Sequence, residues 1–319
     1  MGITSKSFRD QLTLFSERGM TVNESDVKKI ENIGYYRLKE FASPLAKFSK
    51  NSGEIIIDYT GVNFGEVITR YYQDKNLRIF LLHAIEKIEV SVKNNLASIL
   101  GENYGAFGYL NFSMIGNRQK YTRYEMQKKE MQFKRQLLKS VKKVGTASDA
   151  RMKRNKDADG FPTVWLALNI LTFGEMVILL DILSKKNIKS IASTYECTAN
   201  EFISWMGTLH LIRNICSHNS NIIDLSIKTE PLYKEEWNDF LFIFENDDNQ
   251  KPTNRLAVVL AILKHFIFII NDKYKWNNIY NSINRISCND DKKAKLLGFK
   301  DMEALKIFQQ YKPNTIKKL

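Results

Sequence analysis

Apolar residues recur at helical intervals along most of this chain. From Phe64 to Leu100, the positions Tyr71, Leu77, Phe80, Leu81, Ile85, Ile88 and Val92 fall on one stripe, which predicts a long amphipathic helix with room for a single break. Ser7 to Ser49 carries the same period, interrupted at Gly19 and Gly34, and reads as a small helical lobe. Between the two, Asn51 to Asn63 contains GEIIIDYTGVN, an expected short hairpin or extended crossing bounded by glycines. Gly101, Gly105 and Gly108 mark a turn, and the absence of a Gly-Lys-Ser/Thr sequence there speaks against a phosphate loop. After Gly160-Phe161-Pro162 the period resumes, predicting helices at about Val164–Leu183, Ile188–Tyr195, Ala199–Cys216 and Arg255–Asn271. The tail from Asn289 reads as one or two short helices. The expectation is an all-α fold in three parts: a helical N-terminal lobe (1–60), a helical core (61–285) with an insertion at 117–156, and a short helical tail (286–319).

Composition agrees with this pattern. In 319 residues there are only 15 glycines and 5 prolines, and 44% of the chain is hydrophobic, enough for a sizeable core. Cys197, Cys216 and Cys288 lie far apart with no paired spacing for zinc or redox work, so a reduced, cytoplasmic setting is expected. The opening MGITSKSFRDQL has no apolar region of the secretory kind. The run Leu256–Ile270 is the most membrane-like, but Lys264 and His265 interrupt it and it falls short of about 20 residues. A buried helix, and no membrane partner, is the expectation there.

Charge changes the picture by its location. The chain is formally +13, yet residues 117–156 alone hold 14 basic against 3 acidic side chains, 14 − 3 = +11. Arg118, Lys120, Arg123, Lys128, Lys129, Lys134 and Arg135 are interleaved there with Tyr121 and Tyr124. Cations can neutralise phosphates while aromatic rings stack on bases, so these nine residues are the expected RNA-binding strip. A solvated helix face with its aromatics packed inward would leave the same trace.

The densest chemistry lies in Leu211–Ser220, LIRNICSHNS, which sets Arg213, Asn214 and His218 close together. RNA carries its own nucleophile, the 2′-OH, so cleavage needs a proton acceptor, charge stabilisation at phosphate and a proton donor to the leaving oxygen. Histidine suits the proton steps and arginine the phosphate. On a helix, Asn214 and His218 share a face at i and i+4, where the amide could orient the imidazole. Spacing alone decides little: Arg78 and His83 repeat it with the apolar filling IFLL, a core-facing pattern that makes His83 the structural case. Glu86 and Glu89 are lower-ranked site candidates, and pairing with lysines such as Lys87 and Lys93 is the plainer account of them. No acidic cluster accompanies His210 and His218, so no metal and no cofactor are expected.

Further landmarks lie in a fixed order along the chain. These are Arg18-Gly19-Met20 with Ile33-Gly34-Tyr35-Tyr36-Arg37-Leu38, Phe41 and Pro44; Asp74 to Arg78 with Ile85 to Val90; Pro162, Trp165 and Leu171-Thr172-Phe173-Gly174; and Arg213 to His218. Over about residues 8–224 the chain resembles the Abi-like (AbiD/AbiF type) abortive-infection proteins of the HEPN superfamily. That resemblance implies a HEPN-type helical bundle and a metal-independent endoribonuclease of phage defence, in which Arg213 and His218 act within a homodimer whose two copies share one cleft. The chain departs from the family where a second histidine and an arginine commonly follow, having Asn219 and Asn221 instead, so any role of those two residues does not carry over. Two other readings stay open: an RNA-binding sensor or scaffold that does not cut, held by a small regulatory RNA, and a HEPN protein whose histidine site a partner nucleotidyltransferase modifies.

Overall fold

The computed structural model describes residues 5–51, 54–246 and 249–313. Its first lobe holds α1 (Phe8–Ser16), α2 (Val27–Ile33), α3 (Tyr35–Ala42) and an antiparallel hairpin of β1 (Lys47–Asn51) and β2 (Glu54–Asp58). The hairpin expected from Asn51 onward thus begins earlier, at Lys47, and its connecting residues 52–53 lie outside the described residues. Phe15, Tyr35, Tyr59 and Phe64 meet ring to ring at the lobe's centre.

α4 (Phe64–Tyr104) is the spine, 41 unbroken residues or about 60 Å. It continues past the expected end at Leu100 and stops at Gly105, whose φ of +75° suits glycine. The chain then passes through α5 (Phe112–Ile115) to the basic helix α6 (Arg123–Lys143). α7 (Val164–Ile170), α8 (Phe173–Ile182), α9 (Lys185–Thr194) and α10 (Ala199–Ser217) complete the first half, with α7, α9 and α10 packed on the spine. The single helix expected over 164–183 is broken: Leu171 is extended, and Thr172 starts α8 by exchanging hydrogen bonds with Glu175, a capping box. Thr122 with Glu125 and Thr198 with Glu201 start α6 and α10 in the same way.

Beyond α10 come a second hairpin, β3 (Ile243–Asn246) with β4 (Asn249–Pro252), and the helices α11 (Leu256–Ile270), α12 (Asn277–Ser287), α13 (Asp291–Leu297) and α14 (Met302–Gln310). The hairpin and α12 have no counterpart in the sequence expectation, and the last residues of the tail, 314–319, lie outside the described residues. α11 is buried from Leu256 to Ile267, including its two polar side chains. Lys264 donates to the Tyr280 hydroxyl and to the carbonyls of Phe308 and Gln309, which ties α14 to the core. No helix among the described residues is long and apolar enough to cross a membrane.

His265 is buried against Trp205, with Nε2 donating to the Tyr195 carbonyl at 2.7 Å and no partner for Nδ1. Burial pushes its pKa down to about 4, so the folded state holds the ring neutral while the unfolded chain protonates it near 6.5. A depressed folded pKa contributes stability that is complete above about 6.5 and fades as pH falls toward 4. Urea unfolding from pH 7 to pH 4.5 will therefore show falling stability, and His265→Gln, which keeps a donor without titrating, will flatten that decline. An equal slope in both proteins would remove His265 as its cause.

Candidate functional site

α10 brings the predicted residues together and the surroundings of its last turn fix where they stand. The polar contacts around it run from Ser91 and Asn95, near its start, to Asp74 and Arg78, near its end, so α10 lies antiparallel to the spine. His218 is its C-cap, with its N–H donating to the Asn214 carbonyl at 3.0 Å. Asn219 then turns into the left-handed region at φ +57°, donating to Cys216, and Ser220 donates back to Ile215. This is a Schellman motif, in which the left-handed position favours glycine or asparagine. That is a structural reason for asparagine at this position.

Asn219 is also gripped from two sides. Arg37 of α3 donates to its carbonyl, and Arg78 Nη1 of α4 lies 3.3 Å from its Oδ1. The chain beyond is held as firmly: fully buried Asp74 accepts the N–H groups of Ile222 at 2.7 Å and Ile223 at 3.2 Å while pairing with Arg78 Nε at 3.0 Å. Asn221 donates to Asp224 at 2.8 Å, and Asp224 pairs with buried Arg70.

Within this frame the candidates separate. The His218 ring is exposed, and among the described residues no protein group hydrogen-bonds to it. Arg213 is half-buried, with Nη1 3.4 Å from the Asn214 Oδ1. The Asn214 amide does not turn to His218, as its spacing allowed; its Nδ2 lies 3.1 Å from His210 Nε2. Because Asn214 Nδ2 can only donate, His210 accepts there and carries its own proton on Nδ1. Burial first, and then the charge of Arg213, lower the His210 pKa. Its ring meets Phe173 edge-on at 6.0 Å and rests on Gly174, where an added Cβ would come within 2.8 Å of Nε2. His210, Arg37, Arg70, Asp74 and Arg78 are the site's structural members that pattern reading missed, although the i, i+4 spacing of His210 and Asn214 was a usable signal.

The remaining candidates are distributed as follows. Glu89 pairs with Lys93 at 2.6 Å, and Lys93 also donates to the Leu171 carbonyl, so this carboxylate belongs to the α4–α7 packing; Glu86 is exposed. His83 is exposed and joins the Tyr274 hydroxyl at 3.0 Å. In the basic strip, Arg118 donates to Ser113, Lys120 and Tyr121 both bind Asp181, and Lys134 pairs with Glu130. Arg123, Tyr124, Lys128 and Arg135 are exposed, and Lys129 lies 4.6 Å from the Tyr121 ring centre. No group of three or more His, Cys, Asp or Glu side chains among the described residues could hold a metal ion.

Comparison with known families adds one finding: the family described as Abi-like protein matches residues 28–224, well over half of the chain. The chain belongs to the Abi-like protein family. No curated protein and no solved structure matches it. The part of this Abi-like protein that matches runs from α2 to Asp224, and so contains Arg37, the spine, α10 and every hydrogen bond that fixes Asn219.

The Asn219 turn makes a graded prediction. Asn219→Gly keeps an easy left-handed backbone but removes the hydrogen bond to Arg78, whereas Asn219→Ala removes that bond and adds roughly 1–2 kcal/mol of backbone cost. Denaturant midpoints will fall in the order wild type, Gly, Ala; equal midpoints for the two variants would show that backbone conformation is not what asparagine supplies here.

Proposed function

We propose that this Abi-like protein acts in abortive infection, the phage-defence setting its family suggests, as a metal-independent endoribonuclease. The observation that carries this reading is a free, exposed imidazole, His218, with a half-buried arginine five residues earlier, on a helix end held by donors from Arg37 and Arg78 and followed by backbone N–H groups that donate to Asp74. His218 takes the proton from the ribose 2′-OH, and the oxygen attacks the adjacent phosphorus. Arg213 holds the phosphate as charge builds on it. A proton then reaches the departing 5′-oxygen, leaving a 2′,3′-cyclic phosphate and a 5′-OH.

One imidazole cannot serve both faces of an in-line displacement at once. A second copy of the chain, bringing its own exposed His218 to the same cleft, supplies the acid in this proposal. The His210–Asn214 bond steadies the amide beside Arg213. The exposed cations of α6 recruit the strand by its phosphates, and the same surface would take a small regulatory RNA.

A second reading has an observation of its own. Catalytic bases are usually oriented by a third group, and here Asn214 is bonded to His210 instead. An RNA-binding protein that holds without cutting needs no orienting partner for His218.

The deciding assay incubates wild type and His218→Ala with end-labelled single-stranded RNA in EDTA and maps the product termini. The nuclease reading expects cyclic-phosphate ends from wild type alone, with Kd nearly equal for the two proteins because one side chain adds little to phosphate-driven binding. Intact RNA bound tightly by both would establish the second reading in its place. In a companion titration, replacing Lys128, Lys129 and Arg135 by alanine should weaken binding and reduce the slope of log K against log salt by about 0.7 for each phosphate no longer neutralised. An unchanged slope would move the RNA path off α6.

A further inference from the structure

A groove of about 290 Å³ with an apolar floor separates α6 from α8. Phe133, Leu171 and Ile182 form that floor and are all buried. Gln132 and Gln136, one helical turn apart on α6, stand on one wall, and Ile178, 59% exposed, stands on the other. Neither glutamine amide is hydrogen-bonded to a protein group among the described residues. An apolar side chain left open beside two unengaged amides is poorly matched to water and well matched to a flat, apolar ring with a polar edge.

We propose that this groove holds one unstacked nucleobase of an RNA strand lying along α6, its face on the apolar floor and its edge read by Gln132 and Gln136. The proposal rests on RNA being the ligand, as in the functional reading above. The charge around the groove selects the polymer. α6 carries two acidic residues, and both are committed internally: Glu125 closes the capping box with Thr122, and Glu130 accepts from Lys134 and from the Phe112 N–H. Arg123, Lys128 and Arg135 are left exposed, and neither α6 carboxylate pairs with them. A chain with one anionic phosphate for every planar ring satisfies both demands together, whereas a peptide strand or a lipid surface satisfies only one.

The polar groups also set a direction. Lys129 lines the α6 side of the groove, while Glu175 lines the α8 side with Oε2 taken by the Thr172 N–H at 2.6 Å. The phosphates accordingly run past Lys129 and are kept off Glu175. A carboxamide presents donor and acceptor side by side, the arrangement with which glutamine reads an adenine edge in nucleic-acid complexes. α8 links the groove to α10: Glu175 lines the groove, and the His210 ring rests on Gly174, the residue before it. A base seated here would fix the register of the strand relative to Arg213.

The test measures binding of the full chain to fluorescent rA, rC, rG and rU oligomers of equal length at fixed salt. The proteins compared are wild type, the Gln132→Ala/Gln136→Ala double variant and Ile178→Lys, each first shown to melt like wild type. Wild type should prefer one base, rA being the first candidate, by roughly fivefold to a hundredfold. The double variant should lose that preference with an unchanged salt slope. Ile178→Lys adds a positive charge yet should also lose the preference, which a purely electrostatic surface would not do. Retention of the wild-type preference in the double variant, or no preference in wild type, would overturn the base pocket while leaving RNA binding intact. Failure of wild type to bind any of the four would remove this proposal and the RNA reading together.

Discussion

The geometry of the candidate site depends on one buried carboxylate. Asp74 has no exposed surface, and it holds two consecutive backbone N–H groups just beyond α10 while its other oxygen faces Arg78. A buried ion pair is a poor source of net stability compared with apolar packing, but removing one member costs about 3–5 kcal/mol because the other is left charged and alone. Its value is therefore positional. The carboxylate admits only one path for Ile222 and Ile223, and that path dictates where α10 can end. Arg78, freed from needing any other anion, extends its Nη1 to Asn219. The spine thus grips the chain on both sides of the turn that follows His218.

Two other arginines extend the same device. Arg70 binds Asp224 and the Phe41 carbonyl, and Arg37 reaches from the N-terminal lobe to the Asn219 carbonyl while its own charge is balanced by Glu40. Lobe, spine and motif are therefore joined through planar, multidentate side chains, which fix orientation as well as distance. The family match begins at α2 and ends at Asp224. Those bounds enclose all three arginines together with both of their carboxylate partners from the spine and the turn.

The helices legible in sequence were those whose apolar period survives burial: α4, α9, α10 and α11 stand close to where the pattern places them. α12 was readable but was missed: Ile279, Ile283 and Ile286 fall at i, i+4 and i+7 with asparagines on the other face, and this stripe packs on α4. The break at Leu171 was hidden because apolar residues continue on both sides of it, and the Thr172–Glu175 capping box is read only once Thr172 is known to start a helix. Arg78 shows the limit most sharply. In sequence it belongs to an apolar segment that merely repeats the spacing of the motif, yet it binds Asn219, 141 residues away. Charge counting over residues 117–156 met the same limit: it located the basic surface but could not distinguish Lys120 and Tyr121, bound to Asp181, from Arg123 and Lys128, which face solvent.

His210 within α10 and His218 at its C-cap stand in opposite surroundings. His210 is packed against Phe173 and Gly174 and accepts from Asn214, and burial and then Arg213 lower its pKa, so its place is beside the amide that it holds. His218 has the opposite surroundings, with an open ring and no protein partner among the described residues. With no side-chain partner to orient it, the position of the His218 ring is set by the backbone that carries it. Here that backbone is a helix end closed by a Schellman turn, with Asn219 held by two arginines and Ile222 and Ile223 held by Asp74. The order around the exposed ring lies in the buried groups behind it, which give an exposed group a defined position.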